Sequence, residues 1–379
     1  MKSNYNQLGQ YIEMVSRTNS DLKYGIEDVR GCSNTKQMMQ TRANLIGRTY
    51  EKFIVLKPQE FVFNRRTTRN GEKIGMAYNN TDREYIFTND YVAFRVKQEY
   101  LDKLLPDYLY MFFCRDEFDR YARYKSTGSA TEFFNWEDMC AVPFEIPPMD
   151  FQQLIVNTYK VLNERIETKQ KINDNLINTT DTIFFKVFLE NKPTATISFT
   201  DIVQLMGGGT PKTDEDSFWN GNILFFTPKD ISRSPFCIST EKHLTNEGLN
   251  NCSSRLYPPY TTFVTCRGTV GNLALAGVPM AMNQSCYALK GKNDFPALFV
   301  FSFTRYAIAT MKKKASGAVF SALVTRDFEM EKVFEPNFED AILFEKRVEP
   351  LFAQILANTN EIQQLLDLQN ALLTQLSSR

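Results

Sequence analysis

With 379 residues, 43% of them hydrophobic and 23% charged, the chain has material for two domains with cores of their own. Its 44 basic residues balance 44 acidic ones, which excludes a nonspecific coat for nucleic acid but leaves room for local basic patches on a sequence reader. A single histidine, His243 beside Lys242, excludes relays that need two imidazoles, and without a leader-like N-terminus or a long apolar run neither secretion nor membrane spanning is expected.

The first stretch contains Leu8-Gly9-Gln10-Tyr11-Ile12-Glu13, Gly31-Cys32-Ser33 and Val55-Leu56-Lys57-Pro58. Glu60 to Asn64 reads as a strand, followed by the basic turn Arg65, Arg66, Thr67, Thr68, Arg69, Asn70, Gly71, with Lys73 just beyond. Tyr85 to Val96 is strand-like, and Pro106 introduces an aromatic-rich helix, Tyr108 to Tyr121. Lys125 stands shortly before Gly128, and Pro147-Pro148 then halts the chain.

From Phe151 to Leu189 neither Gly nor Pro occurs. Ile155, Leu162, Leu176 and Ile183 share one heptad position, and Tyr159, Ile166 and Val187 share another, with Lys169, Asn173 and Thr180 as polar interruptions. The pattern predicts one amphipathic helix with a coiled-coil seam, roughly 55 Å long, which needs a partner. Phe184, Phe185 and Phe188 at its end suit either a domain core or a partner contact.

The second half opens on Gly207-Gly208-Gly209-Thr210-Pro211-Lys212-Thr213, and continues through Phe218-Trp219-Asn220-Gly221 to Phe226-Thr227-Pro228-Lys229-Asp230-Ile231. No GK[ST] follows the glycines and Pro211 lacks a backbone donor, so the string is a structural loop before a hairpin and not a phosphate loop. Tyr257-Pro258-Pro259-Tyr260 has the outline of an amino-methyltransferase motif, but Tyr257 offers no carboxamide or carboxylate for the target amine, and a turn is expected. Thr262 to Cys266 reads as a strand followed by Arg267, Gly268, Thr269, Val270, Gly271. Ala281 to Leu289, which includes Asn283-Gln284, is strand-like, and Pro296 introduces a helix from Ala297 to Met311. Lys312-Lys313-Lys314 precede Gly317. The last long run, Ala341 to Leu376, sets Val348, Ile355, Ile362 and Leu376 on one seam position and Phe352, Leu366 and Leu373 on the other, with polar Gln369 between. Lys169, Asn173 and Gln369 are register and partner determinants in this reading.

The halves repeat at a spacing of 189 residues: Lys125 answers to Lys314, Gly128 to Gly317, Asp138 to Asp327, Pro147 to Pro336, Leu162 to Leu351, Ile166 to Ile355 and Leu176 to Leu365. The fold class is therefore two α/β (α+β) modules in tandem with two long antiparallel coiled-coil helices and a pseudo-two-fold repeat. The expected divisions are 1–150, 151–190, 191–338 and 339–379. Antiparallel helices would set the modules a fixed distance apart, a span that suits sites about one turn of B-DNA, roughly 34 Å, from each other.

Basic and polar residues at turns after strands are the candidates for DNA contact: Arg65, Arg66, Thr67, Thr68, Arg69, Asn70 and Lys73 in the first half, with Asn64 alongside, and Arg267 in the second. Lys125, Lys212, Lys229, Lys312, Lys313 and Lys314 supply further phosphate candidates, and Asn283 and Gln284 an adenine candidate. A solvated basic surface is the plain alternative for each. The seven cysteines form no CxxC pair and suit free thiols in a reducing cytoplasm. The carboxylates show no spaced pairing with histidine or cysteine, so neither a metal site nor a catalytic site is expected.

The Gly-Gly-Thr-Pro, Trp-Asn-Gly and Thr-Pro-Lys-Asp-Ile strings closely resemble the opening of a target recognition domain in the specificity subunits of type I restriction–modification systems. The first half, with its Phe63-to-Gly71 string, resembles a second class of recognition domain in the same family, and the resemblance covers essentially the whole chain. It implies a non-catalytic subunit in which each recognition domain reads one half of an interrupted double-stranded DNA target and the helices set the gap. It further implies docking of two methyltransferase subunits, which bring S-adenosylmethionine, and of restriction subunits, which bring ATP and Mg. No cofactor is then expected on this chain. The specificity subunit of a fused type II methyltransferase–nuclease shares the plan, and a coiled-coil scaffold would account for the helices but not for two modules with arginine turns.

Overall fold

The computed structural model describes residues 6–41, 45, 47–67, 73–127, 132–191, 195–314 and 322–376. Thr68, Arg69 and Asn70, and the repeat pair Gly128 and Gly317, lie outside the described residues. Contacts group the chain into two compact units, one of residues 1–163 with 366–379 and one of residues 164–365.

In the first unit the main sheet is built from β1 (Ile12–Val15), β2 (Phe61–Asn64), β3 (Met76–Tyr78) and β4 (Tyr91–Val96), in the spatial order β1-β4-β2-β3. All pairings are antiparallel, with Ile12 opposite Val96 and Phe61 opposite both Phe94 and Tyr78. Phe61 stacks on both ring partners, at 5.0 Å and 4.7 Å between centroids. Helices α1 (Pro106–Phe113), α2 (Asp116–Lys125) and α3 (Trp136–Cys140) follow, and α1 and α2 close the core through Phe113 and Phe118. The helix expected from Tyr108 to Tyr121 is thus two helices, broken at Cys114 and Arg115. Arg115 takes an extended backbone there and Asp116, Glu117 and Asp119 start a new first turn, where acidic residues are favoured by the free N–H groups.

The second unit repeats this order. β5 (Val203–Gly207), β6 (Thr262–Thr265), β7 (Leu273–Ala276) and β8 (Cys286–Gly291) stand as β5-β8-β6-β7, all antiparallel, with the short strand Phe236–Cys237 added in parallel at the edge. A single helix, α5 (Ala297–Lys314), covers the sheet, and α6 (Thr325–Met330) follows. Equivalence reaches individual atoms: the Asp138 carboxylate accepts the Asn135 N–H at 3.1 Å, and 189 residues later Asp327 accepts the Val324 N–H at 2.8 Å. The strand expected over Tyr85 to Val96 is two, Tyr85–Phe87 and β4, which belong to different sheets. The strand expected over Ala281 to Leu289 breaks in the corresponding place, into Met280–Met282 and β8. A polar turn causes each break, and in the second unit the Asn283 side chain accepts the Ser285 N–H at 3.0 Å.

The two long helices are α4 (Met149–Phe184), which continues as a π-helical turn to Leu189, and α7 (Phe338–Gln375). Within each unit they pack antiparallel. In the first, Ile155 shares a core with Leu373 and Leu376, and Gln369 donates to Asn163 at 2.7 Å. In the second, Asn358 donates to Asn173 at 2.8 Å, Lys169 reaches Asn358 at 3.1 Å, and Arg165 and Lys169 both pair with Glu361. Ile155, Leu162, Ile166, Val348, Ile355 and Leu373 are buried as expected of a seam, and Leu176, Ile183 and Ile362 are half-buried. Leu366 is 39% exposed and leaves the seam, where Gln369 is buried instead. At 3.6 residues per turn an α-helix drifts about 20° per heptad against a 3.5-residue repeat, which carries the extrapolated position outward. Phe184 and Phe188 join the core of the second unit, while Phe185 is exposed.

Candidate nucleic-acid interface

The predicted basic turns follow equivalent strands, β2 and β6. After β2, the Asn64 side chain accepts the Arg66 N–H at 3.0 Å, a local turn that spends the oxygen expected to meet a base edge. Arg65 and Arg66 are exposed. The Arg65 carbonyl accepts from Phe134 N at 2.9 Å and its guanidinium lies 5.9 Å from the Phe133 ring, while Arg66 stands 3.4 Å from Asp90. Thr67, expected to meet DNA, is instead buried: its N–H and hydroxyl both donate to the Glu132 carbonyl, at 3.0 Å and 3.2 Å. Lys73 is exposed, 3.6 Å from Asp116, and Lys125 closes α2 beside the rings of Tyr121 and Tyr124.

The turn after β6 is built by different means. Gly268 and Gly271 hold φ of +80° and +74°, the left-handed region open to glycine, and the Thr265 hydroxyl accepts the Asn272 N–H at 3.1 Å across the base of the turn. Arg267 is exposed at this tip. Lys312 donates to the Gly271 carbonyl at 3.3 Å, which brings the basic end of α5 to the turn. Lys314 is committed to the fold, since both oxygens of the buried Glu331 carboxylate accept from it at 2.8 Å and 2.9 Å; Lys313 is exposed.

The glycine-rich string has the structural role read from its residues. A side chain on Gly208 would stand 2.3 Å from the Asn283 carbonyl oxygen, so the loop lies directly on the turn that precedes β8. Tyr257 locks its other side, with its hydroxyl donating to the Gly207 carbonyl at 3.1 Å. The Trp219 indole N–H donates to the Lys212 carbonyl at 3.0 Å, leaving the Lys212 side chain exposed. In the Thr-Pro-Lys-Asp turn, Asp230 accepts from the Thr227 N–H and hydroxyl at 2.7 Å and 2.8 Å, and Lys229 points outward, 3.8 Å from Glu241. Gln284 accepts from the Thr210 hydroxyl, so Asn283 and Gln284 both take part in this loop arrangement.

Among the groups with strongly altered acidity, Cys266 directly precedes Arg267 in the turn after β6. Burial pushes the Cys114 thiol up to about 11 and those of Cys237 and Cys266 up to about 12, which leaves them protonated and poor nucleophiles. Among the described residues no group of three or more His, Cys, Asp or Glu is placed to hold a metal ion, and no helix is long and apolar enough to cross a membrane. A cleft of about 750 Å³ in the second unit is lined by Arg233, Arg305 and Lys312, but Arg233 is paired with Asp174 and Arg305 with Asp181.

Several buried polar groups carry no sequence signal, among them the pair that holds one flank of the first turn. Lys36 and Asp119, 83 residues apart, form an ion pair that is almost wholly buried, and the Asp119 carboxylate also accepts the Ile74 N–H at 3.0 Å. Burial lowers the Lys36 pKa, and the Asp119 charge opposes that shift. Gln152, fully buried on α4, bridges Leu105 N and the Lys103 and Pro147 carbonyls. On α7, Glu345 accepts the Leu298 and Phe299 N–H groups at the start of α5, at 3.2 Å and 2.9 Å.

A profile of the family described as the type I restriction modification DNA specificity domain matches residues 17–178 and again residues 191–366. The specificity subunit of type I restriction enzyme MjaIX from Methanocaldococcus jannaschii is 28% identical over 127 residues, 32% of this chain and 29% of that protein. The HindI specificity subunit from Haemophilus influenzae is 25% identical over 186 residues, 47% of this chain and 40% of that protein. The chain thus matches less than half the length of each of these relatives. Among solved structures, the S subunit of a type I restriction–modification system from M. genitalium has the same fold, with a TM-score of 0.53 over 98% of this chain and 96% of that one, at 14% identity.

Proposed function

Because the chain belongs to the type I restriction modification DNA specificity family, with a matching domain in each half, we propose that it is the non-catalytic subunit that reads DNA for a type I restriction–modification enzyme. One observation carries the reading: the same sheet order occurs twice, and the equivalent strands β2 and β6 each run into an exposed arginine turn. Two readers of one design but different turn chemistry suit an interrupted target with two different half-sites.

Arg65, Arg66 and Lys73 serve the first half-site and Arg267 the second, with Lys212, Lys229 and Lys313 as phosphate contacts. Arginine grips guanine O6 and N7 together, or a phosphate, and its fixed fork makes it the better reader of the two cations. The carboxylates beside Arg66, Lys73 and Lys229 do not oppose this role. At 3.4, 3.6 and 3.8 Å and well exposed, such pairs are worth about 0–1 kcal/mol and exchange readily for phosphate oxygens.

The chain works in the cytoplasm and supplies recognition alone. Two methyltransferase subunits bring S-adenosylmethionine, and restriction subunits bring ATP and Mg. Methylome sequencing of a methylation-free host that expresses this chain with its neighbouring methyltransferase gene tests the reading. A new two-part methylated motif with a fixed gap is the expected result; methylation of the same sites with or without this chain would overturn it.

A further inference from the structure

The turn after β2 is held from outside itself, and α2 does the holding. At the start of α2, Asp119 accepts the Ile74 N–H at 3.0 Å. Towards its end, Arg123 pairs with Glu132, whose carbonyl takes both the N–H and the hydroxyl of Thr67. One helix therefore fixes both described flanks of the arginine turn.

Lys36 completes the grip. It sits at the tip of the hairpin formed by the strands Arg30–Cys32 and Met38–Gln40, in a left-handed conformation at φ +62°, and is almost wholly buried. Its ammonium meets Asp119 and also donates to the Ile74 carbonyl at 2.9 Å. The peptide groups of Ile74 are thus held on both sides, N–H by Asp119 and carbonyl by Lys36. The Lys36 carbonyl in turn accepts the Tyr110 hydroxyl at 3.2 Å. Well-packed apolar residues would fill this space without the desolvation cost of two buried charges, but they would exert no directional hold on a backbone. A non-glycine residue kept left-handed with its charge buried is a local cost that persists where the surroundings over-determine it, typically near a functional site.

We propose that Lys36, Asp119 and Thr67 are positioning residues that set where Arg65, Arg66 and Lys73 meet the first half-site, and so tune its specificity without touching DNA. The inference rests on the DNA-reading function proposed above. It separates the residues of this region into those that face outward and those that aim them, a division that their polar character alone conceals.

The test uses the full chain in complex with its methyltransferase partner and two duplex libraries, each randomised at one half-site. Lys36→Met with Asp119→Leu removes both charges together, so that neither is left buried alone. Thr67→Val removes the hydroxyl at constant shape, and Leu8→Ala, in the same core but with its N–H bonded to the Val142 carbonyl and not to the turn, serves as a control for stability, with every protein compared well below its Tm. The double variant is expected to lose about tenfold in discrimination at the half-site read by residues 1–150 and less than twofold at the other (a tenfold change corresponds to ~1.4 kcal/mol). Thr67→Val should move the same half in the same direction, and Leu8→Ala neither. Discrimination kept within twofold at both halves by the double variant, or lost equally in Leu8→Ala, would overturn the inference. A wild-type complex with no half-site preference would instead overturn the DNA-reading function.

Discussion

The turns after β2 and β6 start from equivalent strands of the same sheet order and are held in different proportions from within and from outside. The β6 turn is braced largely from within, through two left-handed glycines and the hydroxyl of Thr265, with Lys312 of α5 as an outside contact on Gly271. The β2 turn is held by partners far away in sequence: Asp119 at one flank, Glu132 at the other, and Lys36 behind. The difference teaches that one sheet order can present the turn after its equivalent strand by different means within a single chain. A turn braced mostly from within can change its tip with little effect on the core, whereas a clamped turn couples its exposed residues to the packing of α2.

The largest effect is expected at the clamp. Asp119→Ala leaves the Lys36 ammonium buried without its partner, and is expected to cost about 3–5 kcal/mol in the first unit, read as a lowered melting transition. No substitution of an exposed residue in the β6 turn should approach that. Next come the arginines. Arg66→Ala and Arg267→Ala should each weaken binding by about 1–3 kcal/mol where the guanidinium contacts a base, relaxing one half-site only. If the contact is with a phosphate, the salt slope falls by about 1 and sequence preference stays. Titration of binding against salt and sequence distinguishes the two, turn by turn.

Gly271→Ala should cost about 1–2 kcal/mol for the left-handed backbone alone, and more through contact, because its Cβ would stand 3.0 Å from Lys312 Cε and 3.1 Å from Ile308. Gly268→Ala, with open space around it, should pay only the backbone term; paired melting curves measure the gap. The smallest effect concerns pH. Burial lowers the Lys36 pKa below 10.5, so between the lowered value and 10.5 the unfolded chain binds more protons than the folded one. Stability due to this group therefore rises with pH across that window. The difference in Tm between wild type and Lys36→Met should shift in favour of the wild type as pH is raised towards 10.5.

Much of this architecture was legible in the sequence because it depends on periodicity. The 189-residue repeat reappears as paired caps at Asp138 and Asp327, and the heptads of α4 and α7 reappear as a buried seam. Leu366 falls outside the seam because a strict heptad ignores the drift of a real helix. The broken strands had a local signal that hydrophobic patterning outweighed: Thr88-Asn89-Asp90 and Asn283-Gln284-Ser285 are turn-forming triplets inside otherwise apolar runs. The site was only half legible. Exposed arginines at Arg65, Arg66 and Arg267 followed from their place after strands, but Thr67 sat in the same polar string and turned inward. The Lys36–Asp119 pair had no signal at all, because a buried ion pair is defined by a tertiary contact between residues whose types alone predict a solvated surface.

If the two units read separate half-sites, each can be replaced without affecting what the other reads. Exchange of residues 1–150 for the corresponding recognition domain of another family member, followed by methylome sequencing with the same methyltransferase partner, tests this most directly. The expected result is a methylated motif in which one half is replaced and the other is retained. A motif unchanged by the exchange, or one altered in both halves at once, would contradict it.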